Sequence, residues 1–346
     1  MKIMDQGQFE SLLQGRNPLY QSLDCPDGRW AITIPELGSE FDLEGKLRTF
    51  SPNDIVIKPG EKLDYESNHL MRMYVEERWE ESVQERVAKG FPAPHNGGVI
   101  RASQMPFVNS QGKIELHLAQ TNYKEHMATN FQNSDASREF VKRHPWYEFS
   151  LRLDFNHNAN SLTNLGILTT ADNYLIYTVR DLGTATFGGT ISGFGDNIEF
   201  VKQIKENGEA NYFFTMLRDS IWRDTGMSKS PRAEEARENL SVELGGYSYL
   251  EDGFHVPLFV ARTLFEKRDV EEMAKMNPSK IRISDQNNPG KMIDSDKNKY
   301  AGISSVAINE NSYREFLRNP KLVKTVRPIW TYLAIQKFGW GFLKTV

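Results

Sequence analysis

The residues best placed for chemistry cluster in one amphipathic stretch, 212–225, and in the passage leading to it. The stretch carries Asp219, Arg223 and Asp224, and the passage supplies Glu199, Glu206 and Glu209. At about 100° per residue, five residues set Asp219 and Asp224 roughly 140° apart around a helix, so the two do not share one ion easily. Asp219 stands i,i+4 to Arg223, the spacing of an ordinary helix ion pair worth about 0.3 kcal/mol. A guanidinium such as Arg223 also pairs with phosphate oxygens through its fixed fork.

Other chemistry-bearing residues read more plainly. His117 and His126 lie nine apart, without the i,i+4 spacing of a helical zinc pair and without neighbouring cysteines. His69 reads as a surface histidine, and His255 opens a strand from which it could reach a pocket. Glu234, Glu235 and Glu238 resemble an acidic cluster on paper and read as a solvated helix face. Cys25, in the turn-like DCPDG, has no nearby histidine and reads as structural rather than nucleophilic.

The elements that must position these groups follow from patterning. Apolar and β-branched runs at 165–169 and 174–180, separated by Ala171, Asp172 and Asn173, predict a hairpin. A Gly-rich passage, 183–195, follows it; glycines there let a backbone pass close to a ligand. The helix at 212–225 comes next, then a strand pair over 242–265. Upstream, a helix over 65–89 ends at Gly90, with Leu70, Met73, Trp79, Val83 and Val87 as its packing stripe. Short strands are predicted at 30–34, 55–57, 98–101 and 114–118, a helix at 135–143 and an edge strand at 146–155. Near the C-terminus a helix at 270–276 leads into a polar passage, 277–299, that reads as a mobile loop or lid. The aromatic residues from Trp330 to Phe342 should be buried, over the sheet or in a homodimer interface.

Composition bounds the class. The chain has 346 residues, 39% hydrophobic and 25% charged, with 42 basic against 46 acidic side chains. That is ordinary globular composition, with no basic footprint for nucleic acid. One cysteine permits no internal disulfide, and no signal pattern or membrane-spanning run is present, so the chain reads as cytoplasmic.

The order strand, turn, strand, Gly-rich loop, helix, strand resembles the Nudix hydrolase superfamily, within it the branch with a divergent box that includes the UDP-sugar pyrophosphatases. The likeness is carried by TNYKEHMATN (121–130), LGILTTADNYLIYTVR (165–180) and the glycine segment 188–196, with an echo in EERWEE (76–81) and HNGGVIR (95–101). It implies an α/β/α sandwich with a mixed sheet over about 61–270, an N-terminal α+β elaboration in 1–60 and a C-terminal loop and helical extension in 271–346. It further implies a nucleoside diphosphate derivative as ligand and magnesium as cofactor. The family box reads G-x5-E-x7-R-E-U-x-E-E-x-G-U, U being bulky apolar, and its glutamates hold the metal. Aligned on its C-terminal end, the box puts Ile221 and Met227 at the apolar positions and Gly226 at the glycine. Its paired glutamates fall on Arg223 and Asp224, and its Arg-Glu pair on Asp219 and Ser220. Asp224 alone survives as a carboxylate of the metal face. The carry-over therefore gives Asp224 and Asp219 as catalytic candidates, Asp224, Glu199 and Glu209 as metal ligands, and Arg180, Arg223, Tyr123, Thr129 and Asn130 as substrate contacts. Tyr123, Thr129 and Asn130 could equally cap and pack a local turn.

Two hypotheses follow. In one, Asp224 and a loop glutamate hold magnesium while Arg180 contacts phosphate and water attacks the diphosphate. In the other, Arg223 takes the metal's place and the chain binds a nucleotide without cutting it, as a sensor or scaffold. A third reading leaves Asp219 and Arg223 merely solvating a helix on a structural scaffold.

Overall fold

The structure, a computed structural model, describes residues 30–32, 49–63, 65, 68–90, 93–104, 106–130, 135–147, 159–182, 188–197, 210–250, 255–284, 292–322, 327–339 and 341–342. Cys25, Glu199, Glu206 and Glu209 lie outside these residues, as does most of the predicted strand at 146–155.

In chain order the elements are β1 (Trp30–Ile32), β2 (Ile55–Pro59), α1 (His69–Ala88), β3 (Gly98–Ala102), β4 (Phe107–Val108), β5 (Ile114–Asn122), α2 (Tyr123–Thr129) and α3 (Asp135–Arg143). Then come β6 (Thr163–Thr169), β7 (Tyr174–Arg180), β8 (Ile191–Ser192), β9 (Phe194–Asn197), α4 (Asn211–Asp224), α5 (Ala233–Glu238), β10 (Ser241–Leu250) and β11 (His255–Arg262). The last elements are α6 (Lys267–Met276), β12 (Lys280–Ser284), β13 (Met292–Asn298), β14 (Tyr300–Ala307), α7 (Glu310–Leu317) and α8 (Arg327–Phe338). Among the described residues they build two mixed sheets and a small antiparallel pair, β12 with β13. The architecture is mixed α/β and compatible with the sandwich that the resemblance implies.

The larger sheet runs β1-β10-β11-β6-β7-β14, with β8 on β7 and β9 on β6. Its one parallel contact joins β11 to β6, and the other pairs are antiparallel. β6 is buried at every position from Asn164 to Thr169, as a strand covered on both faces must be. α4 covers one face: Phe214 meets Phe259 of β11 edge-on at 5.1 Å. α8 lies over the same strands, β6, β10 and β11, with its Tyr332 ring against Gly245 of β10. Trp330 and Ile329 are fully buried there, so the C-terminal aromatics do cover the sheet of their own chain.

The predicted hairpin is present, with its turn at Asn173 in the left-handed region. Its two strands pair directly only next to the turn, Leu168 with Ile176 and Thr169 with Leu175. They then splay, and the glycine segment fills the opening, β8 pairing with β7 and β9 with β6. Gly195 explains the close fit: a Cβ there would lie 2.0 Å from the Asn164 carbonyl oxygen. The glycine thus answers to this chain's own backbone, not to an approaching ligand.

The second sheet runs β2-β5-β3, with β4 also on β5, and its β2–β5 pair is parallel. α1, α2 and α3 form a satellite core beside it from Met71, Tyr74, Val75, Ala128, Phe140, Val141 and Tyr147. This corrects the predicted stripe of α1. Its buried residues are Met71, Tyr74, Val75 and Arg78, while Leu70, Met73 and Val87 are exposed. The i, i+3, i+4, i+7 face was masked by Arg78, whose guanidinium lies over the Phe140 ring and pairs with Glu81 at 3.2 Å. The passage 277–299 is likewise not a plain loop: it contains β12 and β13 and feeds β14 onto the free edge of β7. No helix among the described residues is long and apolar enough to cross a membrane.

Replacing Gly195 with Ala forces a Cβ into the β6 backbone. A loss of about 2 kcal/mol or more is expected in chemical denaturation, and an unchanged midpoint would contradict the packing described here.

Candidate functional site

The last turn of α4 delivers Asp224 to the interior, where its side chain is fully buried. Gly226 closes the helix at φ 74, the left-handed cap that favours glycine. A Cβ there would meet the Met273 carbonyl oxygen at 2.4 Å.

A carboxylate taken out of water must be compensated, and five side chains do this. Lys299 Nζ donates to Asp224 Oδ2 at 2.9 Å and Tyr300 hydroxyl donates to the same oxygen at 3.1 Å. Ser279 hydroxyl donates to Oδ1 at 2.8 Å, Arg223 Nε to Oδ1 at 3.1 Å, and Ser220 hydroxyl lies 3.4 Å from Oδ2. Burial pushes this carboxyl up, but the Lys299 ammonium and then the Arg223 guanidinium outweigh it and hold the group down to about 2. Lys299 is itself fixed by backbone bonds. Its N–H donates to the Ser279 carbonyl at 2.8 Å, its own carbonyl accepts from the Asp181 N–H at 3.3 Å, and its ammonium reaches the Gly195 carbonyl at 3.3 Å.

Magnesium requires near-octahedral oxygen coordination. Both Asp224 oxygens are taken by donors, two of them cations, and no group of three or more potential ligands exists among the described residues. These residues do not fit magnesium. Asp219 lies away from Asp224, half-exposed and paired with Arg237 of α5 at 2.9 Å. The helix geometry foresaw that divergence, but the partner is Arg237 where Arg223 was expected. Arg223 does contact Asp224, with its side chain 40% exposed, so part of it still faces solvent.

Strand pairing brings a further candidate to the same edge. Arg180, the last residue of β7, is the cross-strand partner of Tyr300, so both side chains stand on one face of the sheet. Arg180 Nε is buried without a hydrogen-bond acceptor. Tyr123, the first residue of α2, is half-buried between Trp79 and His126, at ring distances of 6.2 and 5.4 Å. Burial raises its phenol, opposed by the charges of Arg86 and Arg180.

Thr129 and Asn130 are fully buried. The Thr129 hydroxyl donates to the Glu125 carbonyl at 2.7 Å and accepts from the Ala159 N–H at 2.9 Å, tying α2 to the segment before β6. His126 in the same network bonds the Ser161 hydroxyl through Nδ1, and burial lowers it to about 4. His117 pairs instead with Glu115 at 2.7 Å, so the two histidines share no site. His69 is exposed. Glu235 pairs with Arg232 at 2.6 Å on the surface of α5.

Lys299, Tyr300 and Ser279 escaped the sequence reading. They sit in or beside a polar passage without periodicity, and only the register of β14 on β7 carries Lys299 to Asp224. The one available signal was the lone box carboxylate, which once buried needs a cation from elsewhere.

No family model matches this chain, and no curated protein matches it. Seven solved chains match. One is a bifunctional NMN adenylyltransferase/ADP ribose pyrophosphatase from Francisella tularensis, complexed with AMP and a manganese ion. It is 9% identical, with a TM-score of 0.31, over 60% of this chain and 51% of that one. The chain thus spans about half the length of that protein, and a likeness at this level carries no argument about the site.

Removing one member of a buried ion pair strands the other. Lys299→Met should cost about 3–5 kcal/mol in denaturant unfolding, and adding Asp224→Asn should recover most of it; a neutral single variant would rule out the pair's role. Because the folded Asp224 carboxyl lies below its unfolded value of 3.8, its contribution is full above that pH and fades as pH falls toward about 2. Acid unfolding of Asp224→Asn should accordingly show a shallower loss of stability across that window than the parent protein.

Proposed function

We propose that this protein binds nucleoside diphosphate derivatives, nucleotide sugars among them, and that Lys299 together with Arg223 occupies the place a divalent cation would take. Binding is then independent of magnesium, and the diphosphate is held rather than cut. The observation that carries this reading is the Asp224 carboxylate, fully buried, with an ammonium at 2.9 Å and a guanidinium at 3.1 Å.

A hydrolytic site would need that carboxylate on a metal, and displacing Lys299 from it would leave an ammonium uncompensated in a largely buried position. Phosphate oxygens need no metal where cationic hydrogen-bond donors are already fixed in place. The exposed part of Arg223 and the Arg180 side chain on the adjacent strand supply such donors next to the Asp224 cluster. The ligand class comes from the resemblance of the 121–130, 165–180 and 188–196 segments, and the metal-free mode from the geometry around Asp224.

The test is calorimetric titration with UDP-glucose and ADP-ribose, with and without magnesium, alongside assay of UMP and AMP release. The expected result is binding that magnesium does not alter, no product, and affinity reduced about tenfold or more in Arg223→Ala, a loss typical of one charge-assisted contact. Magnesium-dependent release of UMP or AMP that disappears in Asp224→Ala would overturn the metal-free mode and establish the hydrolase.

A further inference from the structure

The outer edge of β14 offers backbone donors and acceptors to a further strand. β14 pairs with β7, and among the described residues no strand pairs with its other edge. One bond fixes the direction of the ladder: the Ile308 N–H donates to the Asn173 carbonyl at 3.0 Å, one step past the Ala307–Tyr174 pair. Backbone groups of an antiparallel strand alternate sides, so Gly302, Ser304 and Val306 turn theirs to β7. Ile303 and Ser305 turn theirs outward, where among the described residues no backbone group meets them.

Both faces of β14 are packed. α6 lies over the face of Ser305, whose hydroxyl donates to Glu271 at 2.7 Å. α7 lies over the opposite face, where Phe316 meets Tyr177, the cross-strand neighbour of Ser304, at 5.1 Å. β14 therefore presents its edge as a fixed template. Edge strands that stay single are commonly guarded by charges or prolines. The segment 301–307, AGISSVA, has neither, and the one irregularity of its ladder lies between Tyr300 and Gly302, ahead of the outward pair. Ile303 and Val306 pack against the core while staying half-exposed.

The register suits a second copy of the same strand. A two-fold axis beside Ser304 sets Ile303 opposite the partner's Ser305, and both turn their backbone groups outward. Each such pair exchanges N–H and C=O bonds. Ser304 then meets the partner's Ser304, and Gly302 meets the partner's Val306, so no like charges are opposed. We propose that this protein forms a two-fold dimer in which the β14 strands pair antiparallel and join the two larger sheets into one. Because β14 begins beside Lys299 and Tyr300, the dimer holds in each copy the strand that compensates Asp224.

Sedimentation equilibrium of the full chain over a range of concentrations tests the pairing, with thermal melting to show that each variant is folded. Gly302→Lys has room in the single chain, where a Cβ would meet nothing within 4 Å, but it sets an ammonium against the partner's Val306. Ser305→Pro removes an outward N–H and leaves the bonds to β7 intact. The parent should show a monomer–dimer equilibrium, and each variant should weaken it about tenfold or more, since the two-fold repeats every contact. Gly302→Lys carries the test if Ser305→Pro does not fold. In a Cys25→Ser chain, Ser304→Cys should give a disulfide-linked dimer on mild oxidation, because a facing pair of this kind stands about 4.5 Å apart between Cα atoms. A parent that stays monomeric up to about 1 mM overturns the dimer and leaves the edge to another partner or to none. A dimer that folded Gly302→Lys does not weaken, or that Ser304→Cys does not crosslink, overturns the pairing at β14.

Discussion

A charge buried away from water organises the centre of this molecule. Asp224 ends α4 inside the protein, and five donors from three separate stretches converge on it: Ser220 and Arg223 from its own helix, Ser279 before β12, and Lys299 with Tyr300 where β14 begins. Each of those stretches is placed by the requirement that the carboxylate be compensated. Lys299 spans the most structure. Through backbone and ammonium contacts it joins the β12 end, the end of β7 and β9 to the helix. The passage 277–299 is thereby pinned where it leaves α6 and where it enters β14.

The central sheet supplies the frame for this pair. β6 and β7 splay beyond their turn, and β8 and β9 fill the gap with a glycine where two backbones nearly touch. That arrangement puts Gly195 beside the ammonium of Lys299 and brings Arg180 level with Tyr300. α4 and α8 close the core over these strands, and near the end of β7 the side chains of Arg180 and Arg223 are partly exposed.

The smaller sheet and α1, α2 and α3 make a second core with its own polar interior. Thr129, His126 and Ser161 bind α2 to the chain just before β6, and the Arg101 side chain in β3 is buried with its guanidinium bonded to the Ala159 and Glu61 carbonyls. These groups are satisfied by backbone and by one another, as buried polar groups must be. They fix how α2 meets the central sheet.

The sequence by itself determined the hairpin at 165–180, the helix that carries Asp224, and Gly226 as its terminator. Each depends on local periodicity, turn chemistry or a left-handed residue, which short stretches encode fully. It also determined that Asp219 and Asp224 diverge, because helix geometry is local. Tertiary structure decided the rest. Which face of α1 is buried turned on Arg78, a charged residue whose stem packs over an aromatic ring, and no hydropathy pattern distinguishes it from a solvated arginine. That Lys299 meets Asp224, and that Arg180 stands level with Tyr300, depends on the register of β14 against β7. Register between distant strands is set by the packing of the whole sheet, and no stretch around either residue records it.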